Sequence, residues 1–154
     1  MDIERKFLIK KIPFDLSGYK SRQIEQAYLC TKPVVRIRKS DDEYYLTYKG
    51  SGKIAREEYN LPLNKEAYLH LLEKADGNII TKTRYEIPTD DNLLIELDIF
   101  SGKFEGLILA EVEFETIESA NAYIPPEWFG RDVSITGEFQ NSKLSKMDMV
   151  IDFV

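Results

Sequence analysis

The chain has one cysteine, Cys30, and one histidine, His70, among 154 residues. A single cysteine excludes an intramolecular disulfide and a cysteine zinc cluster. A single histidine leaves a multi-histidine metal site or a Ser-His-Asp triad hanging on one residue. That residue lies in the helical pattern Tyr68-Leu69-His70-Leu71, where a solvent-facing place is expected. Trp128 is the one tryptophan, and its setting in Pro125-Pro126-Glu127-Trp128-Phe129-Gly130 points to packing of a closing segment. No apolar run approaches the roughly 18 to 20 residues that span a bilayer. Met1 leads into the charged run Asp2-Ile3-Glu4-Arg5-Lys6 in place of an apolar signal core, so a cytoplasmic protein without membrane attachment is expected. An excess of basic residues is lacking too. With 21 Lys plus Arg against 27 Asp plus Glu and a formal net charge of -6, nucleic acid is not expected on the outer surface.

What is present is alternation. Period-2 patterning cut by Gly, Pro, Asn and Asp clusters predicts eight strands: Asp2 to Lys10, Arg22 to Cys30, Val34 to Lys39, Glu43 to Lys49, Ile54 to Leu61, Ile79 to Ile87, Leu93 to Phe100 and Leu107 to Glu115. Short joints such as Ser40-Asp41-Asp42 and Gly50-Ser51-Gly52-Lys53 make neighbouring strands antiparallel. Helices are few. Asn64 is placed to cap one carrying Tyr68, Leu71, Leu72 and Ala75 on a face, with Gly77 as its stop. A short helix follows Thr116, and Asn141 is placed to cap a last one with Leu144, Met147 and Ile151 on one side. The length and the absence of a linker or repeat give a single domain over 1–154, mainly β with a few covering helices.

The polar faces of these strands are unusually ionic. Asp2, Glu4 and Lys6 share a face; Arg36 and Arg38 flank Ile37; Lys49 ends Tyr45-Leu46-Thr47-Tyr48; Lys82 and Arg84 bracket Thr83; Glu96 and Asp98 bracket Leu97; Glu111, Glu113 and Glu115 alternate with Val112 and Phe114. On any one strand this reads as a solvated outer face, with cross-strand pairs worth at most ~1 kcal/mol each. Six strands sharing the pattern, with large apolar residues between the charges, favour a sheet closed into a barrel with its charged face inward. Helices or a second subunit would then cover the apolar outside, so a homodimer is one way of completing the fold. Clustered guanidinium and ammonium groups need an anion between them, and polyphosphate oxygens match Arg and Lys. Carboxylates beside that anion need hard divalent cations, for which Mg²⁺ or Mn²⁺ fits.

Asp2-Ile3-Glu4-Arg5-Lys6-Phe7-Leu8 resembles the E-x-E-x-K signature of the CYTH superfamily, the triphosphate tunnel metalloenzymes. The likeness continues through Arg36-Ile37-Arg38, Leu46-Thr47-Tyr48-Lys49-Gly50, Lys82-Thr83-Arg84-Tyr85, Ile95 to Phe100 with Gly102, Leu107 to Glu113, the Trp128 segment and Asn141-Ser142-Lys143-Leu144-Ser145. It implies an eight-stranded antiparallel tunnel. Lys6, Arg36, Arg38, Lys49, Lys82 and Arg84 would hold the phosphates. Glu4, Glu111 and Glu113 would be catalytic metal ligands with Asp2 beside them, and Glu58, Glu96 and Asp98 would be further ligands or water-positioning acids. Glu115 would lie at the tunnel mouth. Asp2 stands where the signature has Glu, one methylene longer. Asn60 stands where the E-[YW]-E pattern after Arg56 has a second acid.

The implied activity is hydrolysis of inorganic triphosphate by water activated at one or two Mg²⁺ or Mn²⁺ ions, with no covalent nucleophile. Class IV adenylyl cyclases and thiamine triphosphatases share the resemblance and hold the same triphosphate with a head group attached. A non-catalytic polyphosphate-binding module is the alternative of another kind.

Overall fold

Alternation in the sequence becomes an antiparallel sheet that nearly closes on itself. The computed structural model describes residues 1–136 and 139–147. Its strands are β1 (Asp2–Leu8), β2 (Lys20–Thr31), β3 (Val34–Ser40), β4 (Glu43–Lys49), β5 (Ala55–Arg56), β6 (Glu58–Leu63), β7 (Asp76–Pro88), β8 (Leu94–Ser101) and β9 (Ile108–Glu113), with helices α1 (Lys65–Leu72), α2 (Ile117–Ala122) and α3 (Asn141–Leu144). They pair in the order β5-β1-β9-β8-β7-β2-β3-β4-β6.

The two ends of that order are one stretch of chain. Arg56 pairs with Asp2 of β1, while Glu58 pairs with Lys49 of β4. Residues 55–63 therefore bridge both edges, and the nine-stranded sheet, one strand more than the eight expected, nearly closes into a barrel whose closing stretch breaks at Glu57. The single strand expected over Ile54 to Leu61 is these two. The break lets the chain change partners: the Glu57 carbonyl still accepts from Gly50 N at 3.0 Å, and Glu4 N donates to Ile54 O at 3.0 Å. Near-closure leaves few free strand edges.

The apolar faces point outward and are covered. α1 lays Tyr68 against Ala27 and Ile37, with Leu71, Leu72 and Ala75 packed around them. Its Asn64 cap accepts from Ala67 N at 2.7 Å, as the sequence predicts. The second cover includes α2, capped by Thr116, and the segment through Trp128, packed over Phe7, Leu97, Ala110 and Val112. Trp128 meets Phe14 edge-on at 5.3 Å, on the outside, so its role is packing. His70 and Cys30 are exposed. Tyr59 and Leu61 on the outer face of β6 also remain exposed. Among the described residues no helix is long and apolar enough to cross a membrane.

Inside, the barrel is charged at one end and apolar at the other. The inward faces that carry Lys6, Lys82, Asp98 and Glu111 continue as Leu8, Ile80, Phe100 and Leu109, and these pack with Val133, Phe139 and Leu144 of the later chain. The C-terminal segment thus plugs the apolar end. Ile151, expected on the same helix face, lies outside the described residues.

Gly77 is not the stop of α1, which ends at Leu72 with Glu73 as its cap. It lies near the start of β7 at φ +75, and a Cβ there would stand 2.1 Å from Ser145 O. Asn78 next to it donates from N to Ser145 O and from Nδ2 to Leu144 O and Met147 O. Gly77→Ala is therefore expected to lift the plug. Urea unfolding should show a loss of about 2 to 4 kcal/mol, combining left-handed strain with a backbone clash.

Candidate active site

Cross-strand register gathers the charges predicted from alternation. Around the barrel, Glu4 faces Glu113, Lys6 faces Glu111, Glu96 faces Glu111, and Arg84 faces Asp98. On the other wall Arg36 lies between Tyr28 and Thr47, and Arg38 between Gln26 and Tyr45. They surround a cavity of about 100 Å³. Its charged lining is Lys6, Arg36, Arg38, Lys49, Arg56 and Arg84 against Asp2, Glu4, Glu58, Glu96, Glu111 and Glu113, which balance formally.

All six basic residues assigned to phosphate are buried, and five of them line the cavity. Lys82 stands behind the wall, its Nζ 2.8 Å from Asp98 Oδ2 and 3.1 Å from Asn141 Oδ1. Asp98 lies there too, fully buried and held by Arg84 through Nε at 2.7 Å and Nη2 at 2.9 Å. This pairing makes it an anchor for two cations, in place of the ligand or water-positioning acid expected. Glu115 does not line the cavity; β9 ends at Glu113 and Glu115 is exposed.

Three cavity cations sit on acids. Lys6 meets Glu111 at 3.3 Å; Lys49 meets Asp2 at 3.0 Å and Glu58 at 3.5 Å; Arg84 also meets Glu96 at 3.3 Å and Glu111 at 3.5 Å. Arg36 and Arg38 differ, having no carboxylate within 4.0 Å among the described residues. Arg36 donates from Nη2 to Thr47 Oγ1 at 3.2 Å, and its buried Nε has no acceptor. Arg38 donates from Nε and Nη2 to the neutral Gln26 Oε1.

The acids divide in the same way. Although burial opposes it, Lys6 and Arg84 hold the Glu111 carboxyl well below its ordinary range. Glu4, with no ion-pair partner among the described residues, is pushed up to about 7 by burial and then by Glu111, against the pull of Lys49. Glu113 and Glu96 are raised as well, first by burial. Like charges directly opposite one another destabilise a sheet, and the cavity wall sets Glu4 against Glu113 and Glu96 against Glu111.

These hard oxygen donors suit Mg²⁺ or Mn²⁺ in chemistry and position. Among the described residues no three of them are close enough to form a ready-made ion cage. Asp2 and Glu111 are drawn instead to Lys49 and Lys6. Nothing in the sequence singles out Tyr28 or Gln26, Arg56 enters only as a landmark, and Asn141 is expected as a helix cap. Asn141 is not a cap, for Gln140 occupies that position and the Asn141 side chain accepts from Lys82 and Gln26.

The CYTH domain pattern matches residues 1–149. The chain is 35% identical over 147 residues to the inorganic triphosphatase of Nitrosomonas europaea, spanning 94% of this chain and 96% of the relative. It is 33% identical over 153 residues to that of Acetivibrio thermocellus, spanning 94% and 93%. The crystal structure of the inorganic triphosphatase NE1496 superposes with a TM-score of 0.72 at 32% identity, covering 97% of each chain.

Proposed function

The chain belongs to the CYTH domain family, and on that premise we propose that it hydrolyses inorganic triphosphate to diphosphate and phosphate with the help of Mg²⁺ or Mn²⁺. One observation carries the reading. Arg36 and Arg38 stand unpaired with any acid among the described residues, one with an orphaned Nε, in a cavity whose opposite wall has opposed carboxylates. The arginine wall is a grip for phosphate oxygens, and the carboxylate wall is the complement of a hard cation.

In this reading Arg36, Arg38, Lys6, Lys49 and Arg84 align the phosphate chain and take up the charge that shifts to the leaving diphosphate as the bridging P–O bond breaks. Lys82 acts from behind by fixing Asp98 and so Arg84. Glu4 and Glu113, with Asp2 and Glu111, would hold one or two ions. Such an ion, when bound, supplies positive charge that acidifies water and polarises the phosphoryl group. Glu58 and Glu96 stand at the rim, placed to orient the attacking water.

The test is phosphate release from tripolyphosphate with Mg²⁺ or Mn²⁺ and with a chelator; full turnover in chelator would remove the metal from the reading. Glu113→Gln should lower turnover by about 100-fold or more while the anion still binds, and unchanged turnover would place Glu113 outside the metal site. A second reading, a triphosphate bearing a head group, is favoured by a cavity of about 450 Å³ that adjoins the first at Val34, Arg56, Gln140 and Ser142 and includes Tyr48. Comparing tripolyphosphate with ATP and thiamine triphosphate decides between them.

A further inference from the structure

Resting on the triphosphate reading, we propose that four neutral side chains, Gln26, Asn141, Thr47 and Asn60, are positioning residues that hold Arg38 and Arg36 in place without neutralising them. Gln26 is wholly buried on β2, opposite Arg38. Its Oε1 accepts from Arg38 Nε at 2.9 Å and Nη2 at 2.6 Å, while its Nε2 donates to Tyr28 OH at 3.2 Å and Asn141 Oδ1 at 3.3 Å. Asn141 Oδ1 also accepts from Lys82 Nζ.

The chain of bonds has one consistent direction. Arg38 and Lys82 are donors only, so each requires an oxygen from the amide it meets. Those two requirements leave the Gln26 NH₂ facing the Asn141 oxygen, which is a bond and not a clash. Amides therefore satisfy the network from both ends.

On the other side Arg36 donates to Thr47 Oγ1, which donates in turn to Asn60 Oδ1 at 2.6 Å. Asn60 stands at the position where the resemblance led us to expect an acid, so its neutrality keeps a carboxylate off Arg36. Elsewhere in the cavity Lys6, Lys49 and Arg84 are given acids, while the half-buried Arg56 has no carboxylate within 4.0 Å among the described residues. The same barrel thus holds two kinds of cation. One kind is compensated and structural at rest, and the other is oriented by neutral groups with its charge reserved for the substrate.

The test changes charge and keeps shape. Gln26→Glu and Asn60→Asp retain the oxygen acceptors and add a carboxylate beside Arg38 or near Arg36. Each is expected to raise the KM for tripolyphosphate with Mg²⁺ by about tenfold or more, a loss in line with charge-assisted hydrogen bonds. The melting temperature of ligand-free Asn60→Asp should hold or rise, whereas Gln26→Glu also sets an oxygen against Asn141 Oδ1 in place of the amide donor and is judged on KM alone. A merely structural role would give the reverse, a lower melting temperature with KM unmoved, and a KM within twofold of wild type in a folded variant overturns the inference for that arginine. Asn60 is exposed, so Asn60→Asp decides the matter if Gln26→Glu does not fold. Wild-type protein that neither binds nor hydrolyses tripolyphosphate would overturn the parent reading, a failure visible before any variant is made.

Discussion

Glu4→Gln is expected to reduce triphosphate hydrolysis by about 10³-fold or more, since a single well-placed electrostatic group is commonly worth that much, and at the same time to make the ligand-free protein harder to unfold at pH 8. The second effect comes from the cavity itself. Glu4 faces Glu113 across β1 and β9, and its carboxyl is pushed up to about 7 by burial and by Glu111. The folded state thus holds a proton that the unfolded chain releases near 4.5. The stability this gives is complete below 4.5 and is lost as pH rises through about 7. Above that pH the ionised side chain costs the fold roughly 2 kcal/mol after discounting for its partial exposure. A glutamine stays neutral throughout. At pH 8 the variant should melt about 4 °C or more above wild type, and the two should converge near pH 4.5. Added Mg²⁺ should raise the melting temperature of wild type and not of the variant. Parallel melting curves from pH 4.5 to 8 would show that Glu4 bears no such strain.

The charged lining could be seen in the sequence because period 2 survives in β1, β3, β8 and β9. There the inward charges recur at every second position, with mostly apolar residues between them and only Arg5 and Lys39 on the other parity. β2 hides its part. Ile24, Ala27 and Tyr28 are buried there out of step with alternation, and the register slips between Tyr28 and Cys30 against β3 and between Gln26 and Tyr28 against β7. A bulge moves side chains from one face to the other, so Gln26 and Tyr28 carry no period signal that would place them beside the arginines. Arg56 was hidden by brevity, since β5 has two residues after a glycine-containing loop. Asn141 was misplaced because an asparagine before an apolar helix face reads as a cap. Only the folded barrel shows that Lys82 and Gln26 both donate to its oxygen. Parity puts Lys82 and Asp98 on the inward face, but it cannot tell a lining residue from one a layer deeper, and both stand behind the cavity wall.

Arg36→Met should separate binding from stability in the opposite wall. Arg36 is a buried guanidinium whose Nε lacks an acceptor among the described residues, which donates to Thr47, and whose charge helps to pull Arg38 below its ordinary value after burial itself. It also works against the Lys49 ammonium. Replacing a poorly compensated buried ion by an apolar side chain of similar length is often neutral or stabilising, by about 1 to 4 kcal/mol. Thr47 keeps its own bond to Asn60 in the variant, so no new orphan is made. The ligand-free protein should therefore melt at the wild-type temperature or a few degrees above it, by roughly 2 to 4 °C per kcal/mol. Triphosphate loses a charge-assisted partner, and KM should rise by about 100-fold, near the upper end for one such contact. The stabilisation that tripolyphosphate gives the wild type on heating should shrink with it. If Arg36→Met instead lowers the melting temperature and leaves KM within twofold, Arg36 is a structural residue and the anion lies elsewhere in the cavity. The expected pair of effects would mean that this wall, like Glu4, is unfavourable at rest and becomes favourable only when opposite charge enters.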